Sequence, residues 1–539
     1  MKNDSLSLHY EDKIAGEYDC VDRIVLNGYI RLLQMGGGFR NWYRDYNGDD
    51  KDLNNDRLMK FAGRFSRRLY AFAKSKGIPI ISCKAGERKH DVAKEYHPKD
   101  AGFTGLFLII KSRSSACIWD VKEYEKGIHL QKKFCFVNHY FFHIMDKQWG
   151  HITIRMCSHP PFSCMIILNG HEFTERKLTK KSIYFQKTDN CFTAYKDGET
   201  LSRVADTCNK GLLENVCRRW VSSCLWFGID YDEQKSTHLR YDYSIYQVEY
   251  SRNLLFKQGS EMDQVYQGII DMTRSNLDVE RIKTLFGKKY RPHYSKSGNS
   301  AMRVCIEKPD YNLTVFKIHF ESLSLKLYDK GERTLRAEVV VHNTKDLKCK
   351  RGLDQFDIIC KKLRAMMLSF LNNLLYVHTS LIEPGSLQKL TQSKKRSGKT
   401  IGGINPFKQR DIRVLHAVMA VGFKPMGFST KDVVEKLERM YGLKLSCTQA
   451  AYVLKKLRAR KIITAKKGER KYHVSTEGLQ LILAITTVTE QQLPKMLACK
   501  MTDAFNGNPM IKDQYHRVYF DLKRSIKAFA DLSPVKMSV

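Results

Sequence analysis

Residues 322–341 read Ser322-Leu-Ser-Leu-Lys-Leu-Tyr-Asp-Lys-Gly-Glu-Arg-Thr-Leu-Arg-Ala-Glu-Val-Val-Val341, and their alternation decides the fold of the region around them. Successive side chains of a strand point to opposite faces. Leu323, Leu325 and Leu327 therefore share one face, and Ser324, Lys326 and Tyr328 share the other. On the return, Leu335, Ala337, Val339 and Val341 share a face, opposite to Arg336, Glu338 and Val340. Apolar residues must meet apolar residues. That register places Leu327 beside Leu335, Tyr328 across from Arg336 and Lys326 across from Glu338, around a loop at Gly331 to Arg333.

One polar row of this hairpin then carries a phenol, a carboxylate and cations. A metal-assisted phosphodiester nick needs those types: a phenol (Tyr328) to attack phosphorus, a carboxylate (Glu338) to hold Mg2+ or Mn2+, and cations (Arg336, Lys330, Lys326) to balance charge on the phosphate oxygens. The same residues also suit an exposed sheet face with ordinary cross-strand ion pairs.

Lys326-Leu-Tyr328-Asp329-Lys330, followed by Leu335-Arg336-Ala337-Glu338, resembles the core of rolling-circle plasmid and phage replication initiators of the Rep-trans type. The resemblance covers a short segment. It implies that Tyr328 joins covalently to the 5′ phosphate of the nick, that Glu338 serves a metal site, and that Arg336 and Lys330 support them. Longer pieces resemble a large uncharacterised family of bacterial proteins: Asp22-Arg23-Ile24-Val25 with Gly28, Leu168-Asn169-Gly170, Asp189-Asn190-Cys191-Phe192, Ser244 to Glu249, Leu285 to Lys289, the hairpin and the C-terminal region. That likeness supplies no activity.

Many rolling-circle nickases hold their metal with a His-hydrophobic-His triplet, and this chain has none. His139 and His143 fall on one face of an apolar strand. They suit a metal shared with His151 or His159, or ordinary partly buried histidines. Asp22 and Glu249, far apart in sequence, are a second acidic pair able to bind magnesium if the fold joins them. Arg64, Arg67 and Arg68, beside Phe65 and Tyr70 on a basic helix, suit either a strand backbone or a solvated face.

Working outward, residues 1–115 alternate strand and helix signals. A strand is expected at Asp22 to Leu26, a chain break at Gly36 to Gly38, a helix over Leu58 to Lys76, and strands at Ile78 to Ile81 and Gly105 to Ile110. Within 116–390, Lys133 to Met145 pairs with His151 to Met156. Met165 to Leu168 and Asn190 to Tyr195 are further strands, 201–290 reads as mostly helical, 311–341 as strand and 353–380 as helix. Residues 391–410 form a basic linker. Ser397-Gly398-Lys399-Thr400 matches only the tail of a phosphate-binding loop, because Ser393 stands where its first glycine belongs, so no nucleotide site is expected there.

Residues 411–486 follow the order of a winged helix-turn-helix. Helices are expected over Asp411 to Ala420, Lys431 to Met440 and Cys447 to Arg460, with Ser446 and Gln449 at capping-box spacing. A hairpin follows, with the tip Lys466-Lys467-Gly468-Glu469-Arg470, then a closing helix from Thr476. Lys455, Lys456, Arg458 and Arg460 on the third helix, and Lys466, Lys467, Arg470 and Lys471 on the wing, suit phosphates flanking a groove. A protein-binding module with a solvated basic face is the alternative. Residues 487–539 read as a helical tail.

Bulk composition agrees with a polyanionic partner. The 92 Lys and Arg exceed the 57 Asp and Glu by a formal +35, which favours nucleic acid, most simply DNA. The 15 cysteines form no C-x-x-C pair, so a zinc knuckle is not expected and a reducing cytoplasm is. No apolar run reaches membrane-spanning length. The expectation is an α+β, multi-domain, DNA-binding protein of mobile-element type, with a mixed α/β N-terminal region, a central β-rich region and a C-terminal winged helix-turn-helix. It either nicks DNA or binds it without chemistry, as a regulator or partition factor. An RNA-binding or RNA-processing protein is the further alternative.

Overall fold

The computed structural model describes residues 4–84, 86–100, 102–125, 127–276, 283–286, 303–310, 313–320, 323–331, 333–347, 349–378, 390–396, 399–406, 408–422, 424, 426–465, 471–486 and 521. They fall into two compact units, one within 1–266 and 281–368, the other within 267–280 and 369–539. The chain is mixed α/β, built around one large mixed sheet.

Fourteen strands matter for the first unit: β1 (Ile14–Ile30), β2 (Ile80–Ser82), β3 (Gly105–Tyr124), β4 (Gly127–Asp146), β5 (Gly150–Cys157), β6 (Cys164–Asn169), β7 (Phe185–Thr188), β8 (Cys191–Tyr195), β9 (Tyr241–Phe256), β10 (Lys283–Phe286), β11 (Arg303–Asp310), β12 (Leu313–Phe320), β13 (Leu323–Asp329) and β14 (Thr334–Val341). All but β7 and β8 join one sheet in the order β10-β11-β12-β13-β14-β9-β1-β6-β5-β4-β3-β2. Its outermost pairs, β10 with β11 and β2 with β3, are parallel, and the other neighbours are antiparallel. β3 passes through position 115 without a break.

At β5 and β6 one face of the sheet makes the core, whereas β14, residues 18–22 of β1 and residues 250–256 of β9 are buried on both faces. β6 alternates buried Cys164, Ile166 and Leu168 with half-exposed Met165, Ile167 and Asn169, and β5 alternates buried Ile152 and Ile154 with half-exposed His151, Thr153 and Arg155. This is the signature of an antiparallel sheet covered on one side. Helices pack on the apolar side. Asn55–Lys76 buries Leu58, Phe61, Ala62, Phe65, Leu69 and Ala73, spaced at three and four residues. Asn54 caps its start by accepting from Arg57 N, and Gly77 closes its end in the left-handed region at φ +66°. The Phe65 ring stacks on Tyr140 of β4 at 5.4 Å.

Several expectations are corrected or refined. Gly36 to Gly38 do not break the chain but open the helix Gly36–Asn47. Residues 201–290 are largely helical, through Lys210–Leu225, Tyr231–Ser236 and Gly259–Asn276, but they also contain the 16-residue β9, which lies at the centre of the sheet. Its Ser251, Arg252 and Asn253 are buried polar residues, so the strand lacks the apolar alternation that announces one. The strand expected at Asn190 to Tyr195 is present as Cys191–Tyr195. Cys191–Tyr195 pairs with Phe185–Thr188 in a separate hairpin. Leu327 stands directly opposite Ala337, with Leu335 diagonal to it on the same face.

Two helices, Gly170–Lys180 and Gly198–Ala205, abut β1. A Cβ on Gly170 would lie 1.7 Å from the Val21 carbonyl oxygen, and one on Gly198 1.9 Å from that of Glu17. Both obstacles are strand backbone and cannot swing aside. Gly170→Ala is therefore expected to destabilise the protein by about 3 kcal/mol, read as a lower urea midpoint at unchanged slope.

In the second unit, helices Gln409–Gly422, Thr430–Tyr441 and Cys447–Ala459 precede paired short strands Ile463–Thr464 and His473–Val474 and the helix Thr476–Thr486. Ser429 with Asp432 and Ser446 with Gln449 form capping boxes, and Gly442 ends its helix at φ +63°. Lys394–Arg396 pairs with Lys399–Ile401 inside the expected linker. The tip residues Lys466, Lys467 and Arg470 lie outside the described residues, as do Gly287 to Lys289 and, apart from Asp521, residues 487–539.

Candidate active site

The site begins with the register of the hairpin. Tyr328 stands opposite Arg336 and Lys326 opposite Glu338, while β14 pairs on its other side with β9, Arg336 against Asn253 and Glu338 against Ser251. Directly opposed residues share a face. The Tyr328 hydroxyl donates to Glu338 Oε2 at 3.0 Å, and Lys326 Nζ donates to Oε1 at 3.1 Å. Glu338 is 3 % exposed, whereas Tyr328 and Lys326 are half-exposed. Lys330 lies at the hairpin end, where its backbone N–H closes the turn on the Thr334 carbonyl at 2.9 Å.

Arg336 is only 2 % exposed. Its Nε donates to Asn253 Oδ1 at 2.6 Å, its Nη1 to Asp22 Oδ2 at 3.2 Å, and its Nη2 to the Asn190 carbonyl. Asp22 also meets His171 Nδ1 at 2.5 Å and accepts from Asn190 Nδ2 at 2.9 Å. β1 bulges where it pairs with β9 between Val21 and Arg23, at Asp22. Burial alone raises a carboxylate pKa, but Arg336 and His171 outweigh it and hold Asp22 well below the usual range. Arg336 therefore clamps β14 to β1 and the β7–β8 hairpin, and its guanidinium faces the protein rather than solvent.

Glu249 of β9 lies diagonally from Glu338 on the same face, since Val340 is its direct partner. Burial, then repulsion from Glu338, pushes its pKa up to about 7. Burial also raises the Tyr328 phenol well above its ordinary value, and the Glu338 charge adds to this. Burial opposes the charge on Lys326, but Glu338 and Glu249 more than restore it. At rest the row holds a protonated phenol, a lysine cation and two carboxyl groups that resist carrying two charges.

That strain has a measurable sign. Glu249 has a folded-state pKa above its unfolded one, so its contribution is complete below about pH 4.5 and stability falls as pH rises towards 7. In metal-free buffer, Glu249→Gln is expected to match the parent protein at pH 4 and to exceed it by about 2–3 kcal/mol at pH 8, by urea titration at each pH.

The fold brings Asp22 and Glu249 into one cluster, but Asp22 is neutralised by Arg336. The histidines do not assemble into a metal group. His143 Nδ1 meets His151 Nε2 at 3.0 Å, His139 Nδ1 meets Ser114 Oγ at 2.8 Å, and His159 bonds Ser158. Burial lowers His139, His143 and His151 to about 4, 3 and 4, so they are neutral at pH 7. Among the described residues no three His, Cys, Asp or Glu stand ready to hold a metal. Arg64 pairs with Glu233 at 2.6 Å and Arg68 with Asp230 at 3.3 Å, which leaves exposed Arg67 as that helix's solvent-facing arginine.

On the helix Cys447–Ala459, Lys455 and Arg458 are exposed, and Lys456 Nζ lies 5.1 Å above the Tyr452 ring. Arg460 donates instead to the Lys456, Gln392 and Gly402 carbonyls. It ties the 392–402 segment to the helix. Lys471 is half-exposed. His171, Asn190 and Asn253 went unread in the sequence because each is an ordinary polar residue locally. Only pairing across more than eighty positions gives them a role. The chain matches no protein-family model, no curated protein and no solved structure.

Proposed function

We propose that the chain is a DNA-binding protein of mobile-element type that nicks and rejoins one strand through Tyr328, in replication initiation or transposition. The observation behind this reading is the hydrogen bond from the partly exposed Tyr328 hydroxyl to the buried Glu338, with the partly exposed Lys326 on the second carboxylate oxygen. The formal charge of +35 and the resemblance of the hairpin to Rep-trans initiators point the same way. The helices, short paired strands and closing helix of the second unit support a winged helix-turn-helix that docks on duplex through Lys455, Arg458 and Lys471.

In the reaction, Tyr328 Oη bonds to phosphorus as the bond from phosphorus to O3′ breaks. The phenolic proton passes along its existing hydrogen bond to Glu338. The departing O3′ takes its proton from water, since Glu249 beside a bound cation would be an ionised ligand. Lys326 stays charged beside the phosphate. Mg2+ or Mn2+ fits the carboxyl pair, because Glu338 and Glu249 repel one another and such ions take one or two carboxylates together with substrate phosphates. Bound there, the ion supplies positive charge that lowers the phenol pKa and neutralises the phosphate.

A second reading, DNA binding without chemistry, has one observation in its favour: the resting phenol is held protonated by burial and by Glu338. The two readings separate in an assay with labelled single-stranded oligonucleotides. The nickase yields a denaturation-resistant protein–DNA adduct that requires Mg2+ or Mn2+. Tight binding with no adduct under any divalent ion assigns the hairpin to scaffold.

A further inference from the structure

A cavity of about 410 Å³ opens on the first unit, lined among others by Asn27, Gln34, His139, Arg155, Ser163 and Arg351. None of its described lining residues is acidic. Arg155 makes the cavity unusual. Its Nη2 donates to Ser114 Oγ at 2.7 Å and its guanidinium lies 5.9 Å from the Phe141 ring centre. Its Nε is buried without a hydrogen-bond partner, and among the described residues no carboxylate pairs with it. A cation withdrawn from water without a counter-ion is costly, and proteins ordinarily pair it. A guanidinium fork facing a cavity with no acid of its own suits an incoming phosphate, which it can grip through two parallel hydrogen bonds. Burial and the nearby Arg155 charge keep His139 neutral, so the fixed charges around the cavity are the two arginines.

Strand pairing places this cavity on the face that carries Tyr328. Arg155 opposes Met165, Met165 opposes Asn27, Arg23 opposes Glu249, and Glu249 lies diagonal to Glu338. Arg23 is exposed, and Asn27 and Arg155 are partly exposed. The path from Tyr328 to Arg155 crosses five strand spacings and descends β1, on the order of 30–40 Å along a diagonal. A single strand can cover that distance within the footprint of about 4–16 nucleotides used by single-strand-binding domains.

We infer that the Arg155 cavity is a remote phosphate subsite for the same nucleic-acid strand whose scissile phosphate meets Tyr328. This rests on the nickase reading for its ligand and on the cavity for its place. The strand lies across the half-exposed face, and the subsite fixes which phosphate reaches the phenol.

The test is fluorescence anisotropy with single-stranded oligonucleotides of graded length around one nick site, on the full chain. Lengthening the oligonucleotide raises affinity in the parent protein. Arg155→Gln is expected to erase at least tenfold of that gain and to lower the salt slope by about one. Arg351→Gln, at an exposed position, should erase a smaller part of it and serves if Arg155→Gln does not fold. A length gain that survives in both variants overturns the subsite and leaves the nickase reading standing. Failure of the parent protein to bind any oligonucleotide overturns both. Displacement of the long oligonucleotide by millimolar inorganic phosphate or ATP, with no effect on the short one, assigns the cavity to a free phosphate ligand and overturns its assignment to the strand.

Discussion

Tyr328→Phe is expected to abolish the covalent adduct, by at least about 10⁴-fold in rate, while the protein remains folded. The ring stays in its place between Lys326 and the neighbouring strands, and only the hydroxyl is removed. The phenol donates one hydrogen bond to a charged acceptor, so stability falls by about 1–2 kcal/mol. Water can reach this half-exposed position and take over the bond to Glu338 Oε2. Gel shift, thermal unfolding and adduct yield on one preparation separate these effects. An adduct of undiminished yield in Tyr328→Phe places the nucleophile elsewhere and removes the hairpin from the chemistry.

Arg336→Met is expected to be the most destabilising single change in the site, costing about 3–5 kcal/mol at pH 7. The guanidinium is shared by Asp22, Asn253 and the Asn190 carbonyl, all drawn from elements far apart in sequence. Methionine fills much of the volume but leaves the buried Asp22 carboxylate with His171 and Asn190 alone. The sign of the pH dependence follows. With Arg336 present, Asp22 has a depressed pKa, and the stability it contributes is complete above about pH 4 and lost only as pH falls through its folded value. Without Arg336 that value rises, so the deficit of the variant narrows on acidification as Asp22 takes up a proton. Asp22→Asn in the Arg336→Met background should recover part of the loss at pH 7. A deficit below 1 kcal/mol, or one independent of pH and of Asp22, contradicts the clamp.

These two variants also mark what was legible in the sequence. The pairs Tyr328–Arg336 and Lys326–Glu338 follow from alternation and turn length, because a shift of one residue would send the leucines to the polar face. The helix over residues 55–76 and the capping boxes at Ser429 and Ser446 are local signals, and local signals are readable. β9 was not. Its buried Ser251, Arg252 and Asn253 answer to partners on both faces, so Arg252 pairs with Asp19 at 2.7 Å and Asn253 receives Arg336 at 2.6 Å. Nothing in a window of ten residues carries that information.

The role of Arg336 shifted for the same reason. Alternation sets it beside Tyr328, where it reads as a phosphate ligand. The bulge at Asp22 and the Asn190 turn turn it into a tether. Glu249 moved the other way. The sequence pairs it with remote Asp22, and strand order sets it diagonal to Glu338. Arg155 gave no signal in its own neighbourhood, since an arginine in a half-buried strand position is commonplace until its lack of a carboxylate is seen.

Tyr328 Oη is the atom proposed to join the protein to nucleic acid. Protein incubated with single-stranded oligonucleotide and Mg2+ or Mn2+, digested and sequenced by mass spectrometry, tests it most directly. A nucleotide-bearing peptide with the added phosphate on Tyr328 is expected, and none when the metal is chelated. A modified peptide centred on any other residue, or no modified peptide under conditions where the DNA is bound, contradicts it.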